Sequence, residues 1–210
     1  MNLIELDNIT KIFGNKTIIN KLSLMIEDGK SYAIIGRSGC GKSTLLNIMG
    51  GIDKATSGNI MIFQNKNLSP NNYKIRRLLR YQISFLFQNY ALSDNDTVEY
   101  NLNMSLIYNK AIKNRKLAIS NALKKVGMTG FEQQKIYTLS GGEQQRIAMA
   151  RLLLKPSKII FADEPTGNLD VENRDVIFQL LMEMNKDGKT IVLVTHDKEL
   201  ASNCDIVVEL

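Results

Sequence analysis

Ser31-Tyr32-Ala33-Ile34-Ile35-Gly36-Arg37-Ser38-Gly39-Cys40-Gly41-Lys42-Ser43-Thr44 is a short apolar strand that runs into a glycine-rich loop and out into a helix. The spacing Gly36-x4-Gly41-Lys42-Ser43 is that of a phosphate-binding loop, and a strand before it and a helix after it are the context the motif requires. Glycines let the main chain approach phosphate oxygens, and the amides of a helix N-terminus point at the anion. Lys42 would set a cation against the β- and γ-phosphates, and the Ser43 hydroxyl could ligate magnesium. Gly36, Arg37, Ser38, Gly39, Cys40, Gly41, Lys42, Ser43 and Thr44 therefore form the expected site for a nucleoside triphosphate.

Outward from this loop, residues 3–13 and 17–26 read as strands joined at Phe13-Gly14-Asn15-Lys16 into a hairpin. Further strands are expected at 59–63, 83–87, 158–162, 190–194 and 205–208, with helices at 42–49, 71–80 and 171–185. Between 97 and 154 the pattern is helical (97–108, 112–126 and 141–154), broken at Gly127 and Gly130. Strands alternating with helices imply a mostly parallel sheet. The expected fold class is α/β: a P-loop NTPase core, an N-terminal antiparallel β subdomain and an inserted α-helical subdomain. At 210 residues this is one domain. Residues 1–92 and 158–210 form its catalytic core, and residues 93–157 its helical part.

Composition narrows the class. The chain is 44% hydrophobic, enough for a full core, and its net charge is +6. No apolar run approaches the roughly 18 residues that span a bilayer. The start lacks the basic and apolar regions of a signal peptide, so a cytoplasmic chain is expected unless a partner holds it at a membrane. The two cysteines, Cys40 and Cys204, suggest reduced thiols rather than a disulfide framework. Lys74, Arg76, Arg77 and Arg80 recur at helical spacing; they read as a solvated face, with lipid headgroups or a partner as the sharper alternative. Basic strips interleaved with aromatics are not evident, so no nucleic-acid partner is expected.

Two more stretches carry chemistry. Residues 159–164 form an apolar strand ending in Asp163 and Glu164, where a parallel sheet would present them beside the phosphate loop. Asp163 suits a magnesium carboxylate, and Glu164 a base for the attacking water. His196, the only histidine, follows the apolar strand at 190–194. It reads as a sensor of the γ-phosphate, against the plainer alternative of a structural imidazole.

With Leu139-Ser140-Gly141-Gly142-Glu143-Gln144 and Asn168-Leu169-Asp170 added, the order of motifs resembles that of the nucleotide-binding subunits of ATP-binding cassette transporters, over essentially the whole chain. The resemblance implies that this chain hydrolyses ATP with magnesium as a homodimer that forms on ATP binding. Ser140, Gly141, Gly142 and Glu143 of one subunit would meet the ATP held by the other, and Asp170 would lie at the interface. Phe13 stands where the family has an aromatic that stacks on adenine; the alternative is an ordinary hairpin core residue. Gln88 would touch both the metal shell and the water. The implied catalytic set is Glu164, His196, Gln88 and Lys42, and the implied metal set Ser43, Gln88 and Asp163.

Finer strings, Gly50-Gly51-Ile52-Asp53, Phe87-Gln88-Asn89-Tyr90-Ala91-Leu92 and Thr166-Gly167-Asn168-Leu169-Asp170, resemble the lipoprotein-release, macrolide-export and bacitracin-resistance group. Within that group the composition is similar to bacteriocin or antimicrobial-peptide exporters of Gram-positive bacteria. The implied partner is a separate transmembrane permease, with the chain peripheral on the inner face of the membrane and touching no transported substrate itself. A cell-division regulatory ATPase and an iron–sulfur assembly ATPase are the alternatives. Ser93-Asp94-Asn95-Asp96 departs from the Leu-Pro-containing stretch common in the group, at the place where the permease should press.

Overall fold

The computed structural model describes residues 1–167 and 169–210, without the side chains of residues 171 and 172; Asn168 of the 166–170 string lies outside them. In chain order, β1 (Asn2–Phe13) and β2 (Lys16–Glu27) form a long antiparallel hairpin closed by a two-residue turn. Gly14 takes the first turn position with φ 56°, in the left-handed region that glycine adopts most readily. β3 (Ser31–Ile35) then leads to α1 (Lys42–Met49). β4 (Ser57–Ile62) and the two-residue β5 (Asn65–Lys66) return to the hairpin and complete a four-stranded sheet of order β2-β1-β4-β5. After α2 (Tyr73–Tyr81) and β6 (Ile83–Leu86) come three helices, α3 (Val98–Leu106), α4 (Arg115–Lys125) and α5 (Gly141–Leu154). The chain closes with β7 (Ile159–Asp163), α6 (Val171–Lys186), β8 (Thr190–Val194), the short α7 (Lys198–Ser202) and β9 (Ile206–Glu209).

The second sheet is parallel, of order β6-β7-β8-β3-β9. Its middle strands are mostly apolar because both faces are covered. Along β7, Ile159 and Phe161 pack with Leu45, Leu46 and Met49 of α1 and with the hairpin, while Ile160 and Ala162 pack with Ile147, Ala148 and Ile177 of α5 and α6. β8 alternates the same way, with Val192 and Val194 on the first side and Ile191 and Leu193 on the second. The sheet is the partition between two cores, and its strand C-termini share one edge.

Several boundaries differ from expectation, each for a local reason. The strand expected at 59–63 stops at Ile62 because Phe63 and Gln64 turn through the left-handed region, at φ 46° and 63°. The helix expected from 112 starts at Arg115 because the Asn114 side chain caps it, its Oδ1 accepting from the Leu117 amide at 3.1 Å. β5 and α7 were not expected; a two-residue strand and a five-residue helix are too short to write a periodicity. No helix among the described residues is long and apolar enough to cross a membrane.

Candidate functional site

The loop between β3 and α1 is built to leave a helix end open. Gly41, the residue before α1, has φ 102° and contributes no side-chain cap. A Cβ there would lie 2.6 Å from the Ile18 side chain, so only glycine fits. The first amides of α1 are thus left to an outside acceptor. Lys42 folds back over the loop, its Nζ donating to the Gly36 and Arg37 carbonyls at 3.0 and 3.1 Å. This holds a mostly buried ammonium where the loop closes.

Three strand ends bring the remaining groups to this loop. At the end of β7 the Ser43 hydroxyl donates to Asp163 Oδ1 at 2.9 Å. Burial raises the Asp163 pKa above its usual range, against the opposing pull of the Ser43 hydrogen bond and of Lys42. Glu164 follows with φ 46°, an uncommon conformation for a non-glycine residue, held by its amide donating to the Val194 carbonyl at 3.0 Å. The twist turns its carboxylate toward His196, whose Nδ1 lies 2.9 Å from Glu164 Oε2. The imidazole is 70% exposed and the carboxylate only 19%, so the pair spans the wall of the cleft from solvent inward. Asp197 fixes the next turn: it accepts from the first amides of α7 and from Arg174 Nη1 at 2.9 Å.

Together these residues enclose a cleft of about 460 Å³, lined by Phe13, Ile18, Ser38, Gly39, Gly41, Lys42, Ser43, Thr44, Gln88, Glu164, Gly167 and His196. That is within the usual range for small-molecule sites, roughly 300–1,000 Å³. Phe13, 53% exposed, stands at the rim on the last rung of the hairpin rather than in a core. Gln88 enters at the end of β6. Gly36, Arg37, Cys40 and Asp163 belong to the same loop and strand end but are not part of the lining. Ile18 and Gly167 are lining residues that sequence reasoning passed over; neither carries a chemical signal.

Ser140, Gly141, Gly142, Glu143 and Asp170 are not in this cleft. Ser140 caps α5, and its cap is closed on itself: the Ser140 amide and hydroxyl both donate to Glu143 Oε2 at 2.8 Å, and the Glu143 amide donates to Ser140 Oγ at 3.4 Å. These hydrogen bonds hold the Glu143 carboxyl below its usual pKa. Asp170 caps α6, accepting from the Asn173 amide at 2.8 Å. The Asn173 side chain donates to Asp170 Oδ2 at 2.7 Å and accepts from Arg146 of α5, which clasps the two helix ends together. Farther along α5, Arg151 donates to the carbonyls of Tyr90, at 2.6 Å, and Ala91 just beyond Gln88.

The sequence profile of the ABC transporter family matches residues 19–167. Among curated proteins, the chain is 37% identical over its whole length to the macrolide export ATP-binding/permease protein MacB of Mannheimia succiniciproducens. It is 40% identical, over 99% of its length, to MacB of Escherichia coli. The chain spans about a third of the length of these relatives, 33% in each case. Among solved structures, the ATP-binding cassette MJ0796, a dimer in a post-hydrolysis state bound to ADP and Pi, superposes with a TM-score of 0.89 at 35% identity, over 99% of this chain and 94% of that one. CbiO1 of Clostridium perfringens, part of the transporter complex cbiONQ, superposes with a TM-score of 0.84 at 28% identity, over 99% and 84%. From the open phosphate loop, the strand-end acids and these likenesses together, the chain belongs to the ABC transporter family and has its ATPase fold, that of an ATP-binding cassette.

Proposed function

We propose that this chain hydrolyses ATP as a dimer and passes the closing and opening of that dimer to a membrane-spanning permease. The observation that carries the reading is the division of the site. One cleft gathers Lys42, Ser43, Gln88, Glu164 and His196, while the capped end of α5 stands apart from it. A second copy would bring its Ser140, Gly141 and Gly142 to the γ-phosphate held here, with Asp170 at the seam. Likeness to a cassette solved as a dimer supports this.

ATP enters with its phosphates on the open end of α1 and its base against Phe13. The donor set fits magnesium, a hard cation bound by few protein oxygens together with phosphates: Ser43 and Asp163 would hold it, with Gln88, and it would neutralise charge on the β- and γ-oxygens. Lys42 lies against the same oxygens. Glu164 takes a proton from the water as its oxygen attacks the γ-phosphorus in line. The bond to the bridging oxygen breaks, and ADP leaves with the electron pair. His196, held by Glu164, donates to the departing phosphoryl group.

The relatives named for macrolide export favour an exporter that moves an antibiotic, peptide or lipoprotein, with this chain peripheral on the inner face of the membrane. Glu164→Gln tests the core of the proposal. It should lower phosphate release by about 100- to 10,000-fold while a dimer accumulates with MgATP in size-exclusion chromatography. Wild-type turnover in this variant would remove Glu164 as the base.

A further inference from the structure

Among the described residues, Lys11 is one of the few charged side chains that are buried, at 8% exposure, and it does not line the cleft. Its Nζ donates to Asp53 Oδ1 at 2.8 Å and to the Lys54 carbonyl at 2.7 Å. Those residues belong to the turn that leaves α1 after Gly50 and Gly51: the amides of Ile52 and Asp53 donate to the Asn47 carbonyl of its last turn, at 2.8 and 3.1 Å. The ammonium is therefore pinned to the C-terminal end of the helix whose N-terminal end faces the phosphate site. It also lies over the ring of Phe13, 4.7 Å from the centroid.

We infer that Lys11 is a positioning residue for the nucleoside base, setting the Phe13 ring at a fixed place relative to the phosphate loop. The inference rests on the proposed stacking of the base on Phe13. An exposed phenylalanine at the end of a hairpin has free rotation about two bonds and little packing to stop it. A cation over the ring is attracted by the ring quadrupole and favours one orientation. Because that cation is held by groups at the end of α1, the base platform and the phosphate cradle are joined through one helix. The hairpin then cannot tilt its ring away from the cleft without breaking the Lys11 ion pair. Lys11 thus contributes to affinity for a nucleotide with a planar base and nothing to affinity for the phosphate chain.

Displacement of a fluorescent mant-ATP by ATP and by inorganic triphosphate separates the two. Lys11→Met should weaken ATP by about 2- to 5-fold and leave inorganic triphosphate unchanged. Lys11→Arg, which keeps a cation over the ring, should restore ATP affinity. Phe13→Ala should weaken ATP at least as much, and adding Lys11→Met to it should cost nothing further. Asp53→Asn, which loosens the ammonium without removing it, should act in the same direction as Lys11→Met and serves if that variant does not fold. Equal weakening of ATP and triphosphate would mean that Lys11 supports the loop as a whole, and would overturn the inference. So would unchanged ATP affinity in Lys11→Met beside a loss in Phe13→Ala. No loss in Phe13→Ala would instead remove the base-stacking reading, and the role of Lys11 with it.

Discussion

The N-terminal ends of α1 and α5 are both rich in glycine, yet they are finished in opposite ways. α1 begins after Gly41 with no side chain over its amides, whereas α5 begins after Ser140 with a complete reciprocal cap. An open end keeps its donors for a ligand and has no fixed partner of its own in the folded chain. A closed end is stable by itself, and only the Gly141 and Gly142 amides stay outside the Ser140–Glu143 exchange. The first arrangement suits a site that binds ATP in a lone subunit. The second suits a surface that must keep its shape until another subunit brings a phosphate to it.

The largest effect that would break this comparison is at the open end. Lys42→Ala removes charge-assisted contacts worth about 1.5–3 kcal/mol, so ATP affinity should fall by roughly 10- to 100-fold in a mant-ATP titration. An unchanged affinity would mean that α1 is not where the phosphates sit. At the closed end, Ser140→Ala should leave that affinity alone. It should instead lower folding stability by about 1 kcal/mol through loss of the cap, read by urea unfolding, and weaken the ATP-dependent dimer of Glu164→Gln. Loss of monomer ATP binding in Ser140→Ala would erase the distinction between the two ends.

The smallest effect is in the response to pH, where the signs oppose. The Asp163 pKa is raised, chiefly by burial, so its ionisation weighs against the ligand-free fold, and stability is lost as pH rises through its folded value. The Glu143 pKa is lowered, so its contribution is present above its usual 4.5 and is lost as pH falls through the depressed value. Near neutral pH, Asp163→Asn should therefore raise the thermal midpoint of the ligand-free protein and Glu143→Gln should lower it. Shifts of one sign in both variants would show that the two acids are not in opposite settings.

Much of this comparison is legible in the chain itself, because each helix end is written in adjacent residues. The elements at 31–35, 42–49, 141–154 and 190–194 have the bounds their patterns imply. The convergence of Ser43, Asp163 and His196 also follows from pattern, since parallel strands present their carboxyl ends along one edge. What escapes is whatever depends on distance through space. Lys11 reads as one more strand lysine until Asp53 and Phe13 are seen beside it. Asn173 gives no hint that it joins Asp170 to Arg146. The left-handed turn at Glu164 is equally silent, because nothing in the string Ala162-Asp163-Glu164-Pro165 requires it.

The hold of Arg151 on the Tyr90 and Ala91 carbonyls ties the C-terminal part of α5 to the segment after Gln88. The 14 residues of α5 span about 21 Å. A pivot of some 10° about Arg151, roughly 15 Å along the axis from Gly141, would sweep the glycines through about 3 Å, the length of a hydrogen bond. Under the proposed dimer, a phosphate met by these glycines would be coupled to the segment after Gln88 through a single helix.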